Sequence, residues 1–415
     1  MGNVPYAPNT TKTNRVKEYQ NLVNNSIIKN LSTVLTDSTE EYWQDAFYAM
    51  ELINYHDPVA DAKIRSAFEG VEKRSAGFQR ALVELVYANY ADDFEAQIIS
   101  LFKQTGKPKL IAMCAEYLMK NSIPEVYKNL LLQKMKDSLV QENIKAGDPF
   151  FSVLQNKLLT TGTARPPLAD LFNSSFLPNE TVMFSFQRKN RDYPGLVMIR
   201  GKDGAFIQTN NTQPVNIKSV GVKSTQNKYF SVPQLARSLS NMPGYLSNGN
   251  TPQGIFKITG FDISKSVFIG PTTNIQMVMP YERSADVPDS VTQALGDNYR
   301  FLLPLSWKNY PPVYEAYYAG KAGRTEIIAH GTTVNPGYYK GRPFYPLTPT
   351  AGCLCTRETW ITLDGKRSQS DQQKLVDALK AAGGGEGYCI VIEIDDQQKP
   401  VTIQDILPYL NKGTK

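Results

Sequence analysis

The 415-residue sequence predicts an α + β fold in more than one domain: a helical-repeat part over residues 39–159 and a mainly β part over residues 182–415. Three observations carry this expectation. The segments "AMELINYHDPVADAKIRSAFEG", "ALVELVYANYADDFEAQIISLFKQ" and "AMCAEYLMKNSIPEVYKNLLLQKM" resemble one another, with Phe68 and Phe102 in matching places 34 residues apart. The stretch "TTGTARPPLADLFNSSFLPNET" (160–181) then breaks the helical period with Pro, Gly, Ser and Thr. Beyond it the apolar residues fall in short β-branched or aromatic runs between turn residues.

Each element follows from its residues. Residues 1–38 read as a polar N-terminal segment with a frayed start and no apolar signal core, which leaves open that a leader preceded it. In residues 39–159 each repeat has an apolar helix, a break with Asp or Pro, and a second amphipathic helix. A stack of such hairpins buries its apolar faces only against its neighbours, and without the Trp/Gly/Tyr pattern of tetratricopeptide repeats the expectation is a HEAT-like stack. His56 falls at the break of the first repeat and reads as a capping or surface residue. Residues 160–181 are the expected linker. In residues 182–415 the expected strands are "TVMFSFQR", "GLVMIRG", "AFIQT", "GIFKITGFDI", "NIQMVMPY", "TEIIAHGT" and "YCIVIEI", with helices only at "DQQKLVDALKAAGG" and "TIQDILPYL".

Composition narrows the function. The net charge of +6 is uneven: residues 1–160 hold 18 Lys+Arg against 19 Asp+Glu, and the rest hold 27 against 20. The excess is scattered rather than blocked, which argues against nucleic acid and fits an anionic substrate. No run of about eighteen apolar residues offers a transmembrane segment. Four cysteines are too few for a disulfide scaffold, and no ligand pair stands at zinc spacing near Cys353 and Cys355.

The scarce reactive side chains gather in "EIIAHGTTVNPGYYKGRPFYPLTPTAGCLCTRETW" (326–360), which holds one of two histidines and two of four cysteines. A thiol acts as a nucleophile when a base or positive field favours its thiolate, and histidine accepts and returns a proton near neutral pH. Cys353 follows Gly352, where a tight turn lets successive N–H groups face a developing oxyanion. His330 ends an apolar run before Gly331. A Cys353–His330 pair is one reading; a buried thiol and a structural histidine are the other.

The pattern "HGTT…TAGC" resembles the signature of the L,D-transpeptidase catalytic domain (YkuD-like), and Thr251-Pro252-x-Gly254-x-Phe256 resembles a segment upstream of the histidine in that family. The likeness covers roughly residues 180–400. It implies an L,D-transpeptidase-like domain at 182–415 with Cys353 as acylated nucleophile, His330 as general base, and Gly331 presenting a carbonyl to orient the imidazole. It also implies an oxyanion hole from the N–H groups of Gly352 and Cys353. The implied reaction joins peptidoglycan stem peptides through a thioester, without metal or organic cofactor, in the periplasm or cell envelope. Arg357, Tyr339 and Thr350 are the candidate substrate-binding residues; Arg357 reads equally as a surface arginine. Tyr338, Tyr339 and Tyr345 suit a lid, a sugar-facing platform or plain packing. Thr251 and Phe256 are expected to shape the core beneath the site.

The sequence departs from the family in three places. Ala351 stands where the family has histidine, the interval from His330 to Thr350 is longer, and Cys355 stands where Asn or Arg is frequent. Cys355 has three readings: a partner of Cys389, a redox guard of Cys353, or a buried thiol. An L,D-carboxypeptidase using water, and an inactive wall-binding scaffold whose repeats hold a protein partner, are the rival functions.

Overall fold

A computed structural model describes residues 4–90, 93–120, 125–141, 147–159, 163–209 and 229–410. The structure is α + β, with helices first and a closed barrel after them. Among the described residues no helix is long and apolar enough to cross a membrane.

The helical part runs through Glu40–Ile53, Pro58–Ser66, Ala76–Asn89, Glu95–Gln104, Pro108–Met119, Glu125–Gln141 and Pro149–Leu159. Local chemistry sets several of these ends. Asn54, in the left-handed region at φ 48°, stops the first helix, and Asp57 caps the second by accepting from the N–H groups of Val59 and Ala60. Ser75 caps the third by accepting from Phe78 N, and Pro108 opens the fifth, where its missing N–H costs nothing. Phe68 and Phe102 are both buried, but Phe68 lies in the turn after its helix while Phe102 lies inside one. His56 sits in the first hairpin turn, edge-on to Tyr90 with ring centroids 5.0 Å apart and 3.8 Å from Asp61.

The barrel is built from β1 (Val182–Arg188), β2 (Gly195–Arg200), β3 (Val232–Leu235), β4 (Gly254–Asp262), β5 (Asn274–Val278), β6 (Ala329–His330), β7 (Leu354–Thr356) and, after the hairpin of β8 (Glu358–Trp360) and β9 (Arg367–Ser370), β10 (Gly387–Asp395). The order around the barrel is β1-β10-β4-β5-β6-β7-β3-β2, with parallel pairs only at β1/β10 and β6/β7. Alternation along each strand separates two faces. Met183, Val197, Val232, Phe256, Ile275, Ala329, Leu354 and Val391 fill the interior, with Leu375 and Leu379 of the helix Asp371–Ala381 packed against them. Phe184, Phe186, Met198 and Ile390 face outward.

The expected linker is packed rather than free: Leu168, Leu171, Phe172 and Phe176 bury against that outer face with Trp307 and Ile406. The N-terminal segment differs from its frayed reading as well. Ala7 N donates to Gly365 O at 2.9 Å, Arg367 N to Pro5 O at 2.9 Å and Lys12 N to Thr362 O at 2.8 Å, so the segment lies along the β8–β9 hairpin. Three helices also stand where the sequence pattern predicted none, at Asp289–Asp297, Tyr299–Leu302 and Glu315–Lys321. At 9, 4 and 7 residues they are too short to show a clear 3.6-residue period.

The two parts share one core. Leu235, Leu239, Met242, Tyr245, Tyr339, Phe344 and Leu347 from the barrel side bury together with the helices. Polar contacts cross the same seam: Tyr245 Oη donates to Glu116 Oε1 at 2.7 Å, and Lys157 Nζ reaches that same oxygen at 2.7 Å. Lys157 is partly exposed, so the Glu116 carboxylate is the buried member of this pair and the Tyr245 hydroxyl its buried donor. The helical part therefore forms one wall of whatever lies on this side of the barrel.

Candidate functional site

The parallel pairing of β6 and β7 sets Ala329 beside Leu354 and His330 beside Cys355. Ala329 and Leu354 enter the barrel interior, so His330 and Cys355 share the opposite face. Cys353 lies two residues before Cys355, in the turn that leads into β7. Of the pair singled out by sequence, His330 ends β6 and Cys353 immediately precedes β7, the strand paired with it.

His330 is buried, and its Nδ1 is in hydrogen-bond contact with Gly331 O. With that nitrogen held, Nε2 is left as the atom for proton exchange. Burial lowers the imidazole pKa from its ordinary value, and the contact with Gly331 opposes the shift. Behind the ring, Thr356 Oγ1 donates to Gln372 Oε1 at 2.8 Å, and Gln372 Nε2 donates to Ala329 O at 2.9 Å. These bonds fix the short strand that carries His330.

Cys353 is half-buried, and its Sγ donates to Glu326 O at 3.4 Å. Burial pushes the thiol up, against the lowering influence of Ile328 backbone and the charge of Arg324. Both shifts favour the uncharged form, a neutral thiol at Cys353 and a neutral imidazole at His330, at neutral pH.

The turn before Cys353 is locked by Thr350, whose Oγ1 donates to Cys353 O at 2.9 Å and accepts from Gly352 N at 3.0 Å. Thr350 is therefore a turn-former. The Gly352 N–H is already taken by it, which leaves the Cys353 N–H as the less committed of the two expected oxyanion donors. Gly352 has φ +121°, and a Cβ there would run into Arg324 Nη2, so no other residue fits. Thr251 of the upstream motif donates from Oγ1 to Gly352 O at 2.8 Å, and Phe256 of the same motif fills the barrel interior.

Arg324 is the residue that sequence reasoning missed. It is buried, and its guanidinium donates to Asn250 O at 2.8 Å, to Gly249 O at 2.6 Å and to Gly244 O. Burial pulls it down to about 10, which keeps it charged at neutral pH. A cation held by carbonyls against Gly352 places a fixed positive field beneath the Cys353 turn. The only sequence signal was an arginine at the head of an apolar run, and that run was read as a long strand. It yields only two strand residues, because Arg324 is drawn into its carbonyl cage and Glu326 adopts φ 62°. Glu282, also buried, fixes that bend by accepting from Glu326 N and Met279 N, both at 2.8 Å.

The other two substrate-binding candidates have partners within the protein. Tyr339 is buried in the shared core, with its hydroxyl donating to Leu52 O at 2.7 Å, so it pins the long loop to the helical part. This corrects its assignment as a substrate contact: a buried, satisfied hydroxyl has nothing left to offer a ligand. Arg357 lies 3.6 Å from the Asp371 carboxylate and is partly exposed. All four cysteines are free, with Cys389 inside the barrel and Cys355 on the outer face, so the Cys355–Cys389 pairing is not formed. Burial pushes the Cys355 thiol up to about 12, which makes it a poor nucleophile.

Comparison with protein-family models, with curated proteins and with solved structures returned no match.

Proposed function

We propose that the chain is a cysteine acyltransferase of the L,D-transpeptidase kind, acting on peptidoglycan in the cell envelope. The observation that supports it most is the pairing of β6, which ends in His330, with β7, which Cys353 immediately precedes, together with Arg324 held behind the Cys353 turn. In the resting state the thiol proton points to Glu326 O. Rotation about χ1 of Cys353 turns Sγ toward the imidazole, and alignment of this kind is commonly completed only with substrate present. His330 Nε2 takes the proton as sulfur attacks the carbonyl between an L-centre and a terminal D-residue of a stem peptide. The C–N bond breaks, the D-residue leaves with the proton returned by His330, and a thioester remains. A side-chain amine of a second stem then attacks the thioester, losing its proton to His330, and the free thiol is restored. Water in place of the amine gives the carboxypeptidase outcome with the same residues.

The proposed HEAT-like arrangement of the helical part serves, in this reading, to wall the site and to offer its outer surface to a protein partner. A carbapenem, whose strained carbonyl imitates the acyl donor, is expected to add one molecule to Cys353 in wild-type protein. Intact-protein mass followed by peptide mapping reads the adduct. A reduced, folded sample that stays unmodified supports the inactive scaffold instead.

A further inference from the structure

The acyl-transfer site leaves unused an open groove of about 620 Å³ between the N-terminal helix Lys12–Asn21 and the turn Pro336–Tyr339. It is lined by Lys12, Arg15, Tyr19, Gln20, Asn335 and Tyr338, among others. Tyr19 is 45% exposed, and its ring lies 6.1 Å from that of Tyr338, tilted by 34°. The two rings form a continuous aromatic surface rather than a slot. On two of these lining residues a polar atom is buried without a partner among the described residues: Arg15 Nε and Tyr338 Oη. Each such orphan costs about 1–3 kcal/mol, which a ligand recovers when the two side chains turn their polar atoms into the groove to meet it.

The lining discriminates between ligand classes. A lipid chain would leave Arg15 and Tyr338 unpaired. A bare anion would meet Lys12 and Arg15 but also the Glu18 carboxylate, which interacts with Arg15. A sugar chain satisfies all of them: its ring face packs on tyrosine, and its hydroxyls both donate and accept, as the mixture of Arg15, Gln20, Asn335 and Tyr338 demands. We propose that this groove binds a carbohydrate chain, with Tyr19 and Tyr338 as platform and Arg15 as the principal donor. The carbohydrate class follows from the lining; the choice of an N-acetylated sugar as probe rests on the cell-wall reading above.

The test is titration of the full chain with an N-acetylglucosamine tetramer, and with glycan strands stripped of their peptides, followed by calorimetry. Wild-type protein binds, and Tyr19→Ala and Arg15→Gln each weaken binding about tenfold, equivalent to about 1.4 kcal/mol. Tyr338→Phe, which keeps the ring and removes only the hydroxyl, also weakens it and guards against a variant that fails to fold. Carbapenem addition to Cys353, measured on the same samples, stays at the wild-type level in all three. Failure of wild-type protein to bind either glycan overturns the proposal, as does undiminished binding in the three folded variants. Glycan binding without any Cys353 adduct leaves the groove assigned and rejects the acyltransferase reading.

Discussion

Cys353→Ala abolishes release of the terminal D-residue from a stem-peptide donor, whereas Cys355→Ala retains most of the activity. The two thiols are two residues apart, yet their surroundings differ. Only Cys353 follows the turn in which Thr350 and Thr251 fix Gly352, and only its turn is backed by the Arg324 cation. Cys355 sits in the middle of β7, where β3 and β6 flank it and burial holds it protonated. Product release measured by mass on both variants, with circular dichroism to confirm folding, separates the roles. Equal loss in the two folded variants would point to a paired-thiol mechanism.

His330→Ala lowers the rate of Cys353 acylation by on the order of a hundredfold or more, the usual cost of losing a general base. No second imidazole can substitute, since the other histidine, His56, lies in a hairpin turn of the helical part. The pH profile makes the prediction sharper. Because burial lowers the His330 pKa, the neutral base is present from below its ordinary value of about 6.5 upward, and the acid limb of the wild-type profile falls there. Because burial raises the Cys353 thiol, wild-type rates climb again on the alkaline side as thiolate forms without help. His330→Ala loses the neutral-pH rate and keeps only the alkaline rise. His56→Ala leaves the profile unchanged. A His330→Ala profile that overlays the wild type would remove His330 from the chemistry.

Much of this was readable from residues. The change from helical to β patterning near residue 160 is present in the structure, because the 3.6 and 2-residue periods reflect which faces are buried. His330 and Cys353 stand out in the sequence by their scarcity, and Thr251 by its place in the Thr-Pro-x-Gly-x-Phe segment. What escaped depends on contacts between distant segments. Arg324 acquires its meaning from carbonyls at Gly244, Gly249 and Asn250, some 75 residues earlier in the chain. Tyr339 resembled a loop tyrosine until its hydroxyl was found on Leu52 O, 287 residues away. The linker composition at 160–181 is rich in turn residues, but Leu168, Leu171 and Phe172 also supply an apolar face that the barrel covers.

The most direct measurement of the central claim is the mass of products formed from purified wall fragments. Stem peptides carrying a terminal D-residue, incubated with wild-type protein, are expected to lose that residue and to appear joined through a new amide, or as the free acid where water is the acceptor. The Cys353→Ala protein is expected to leave them intact. Fragments that remain unchanged with folded, reduced wild-type protein, or that change equally with Cys353→Ala, would contradict acyl transfer at Cys353.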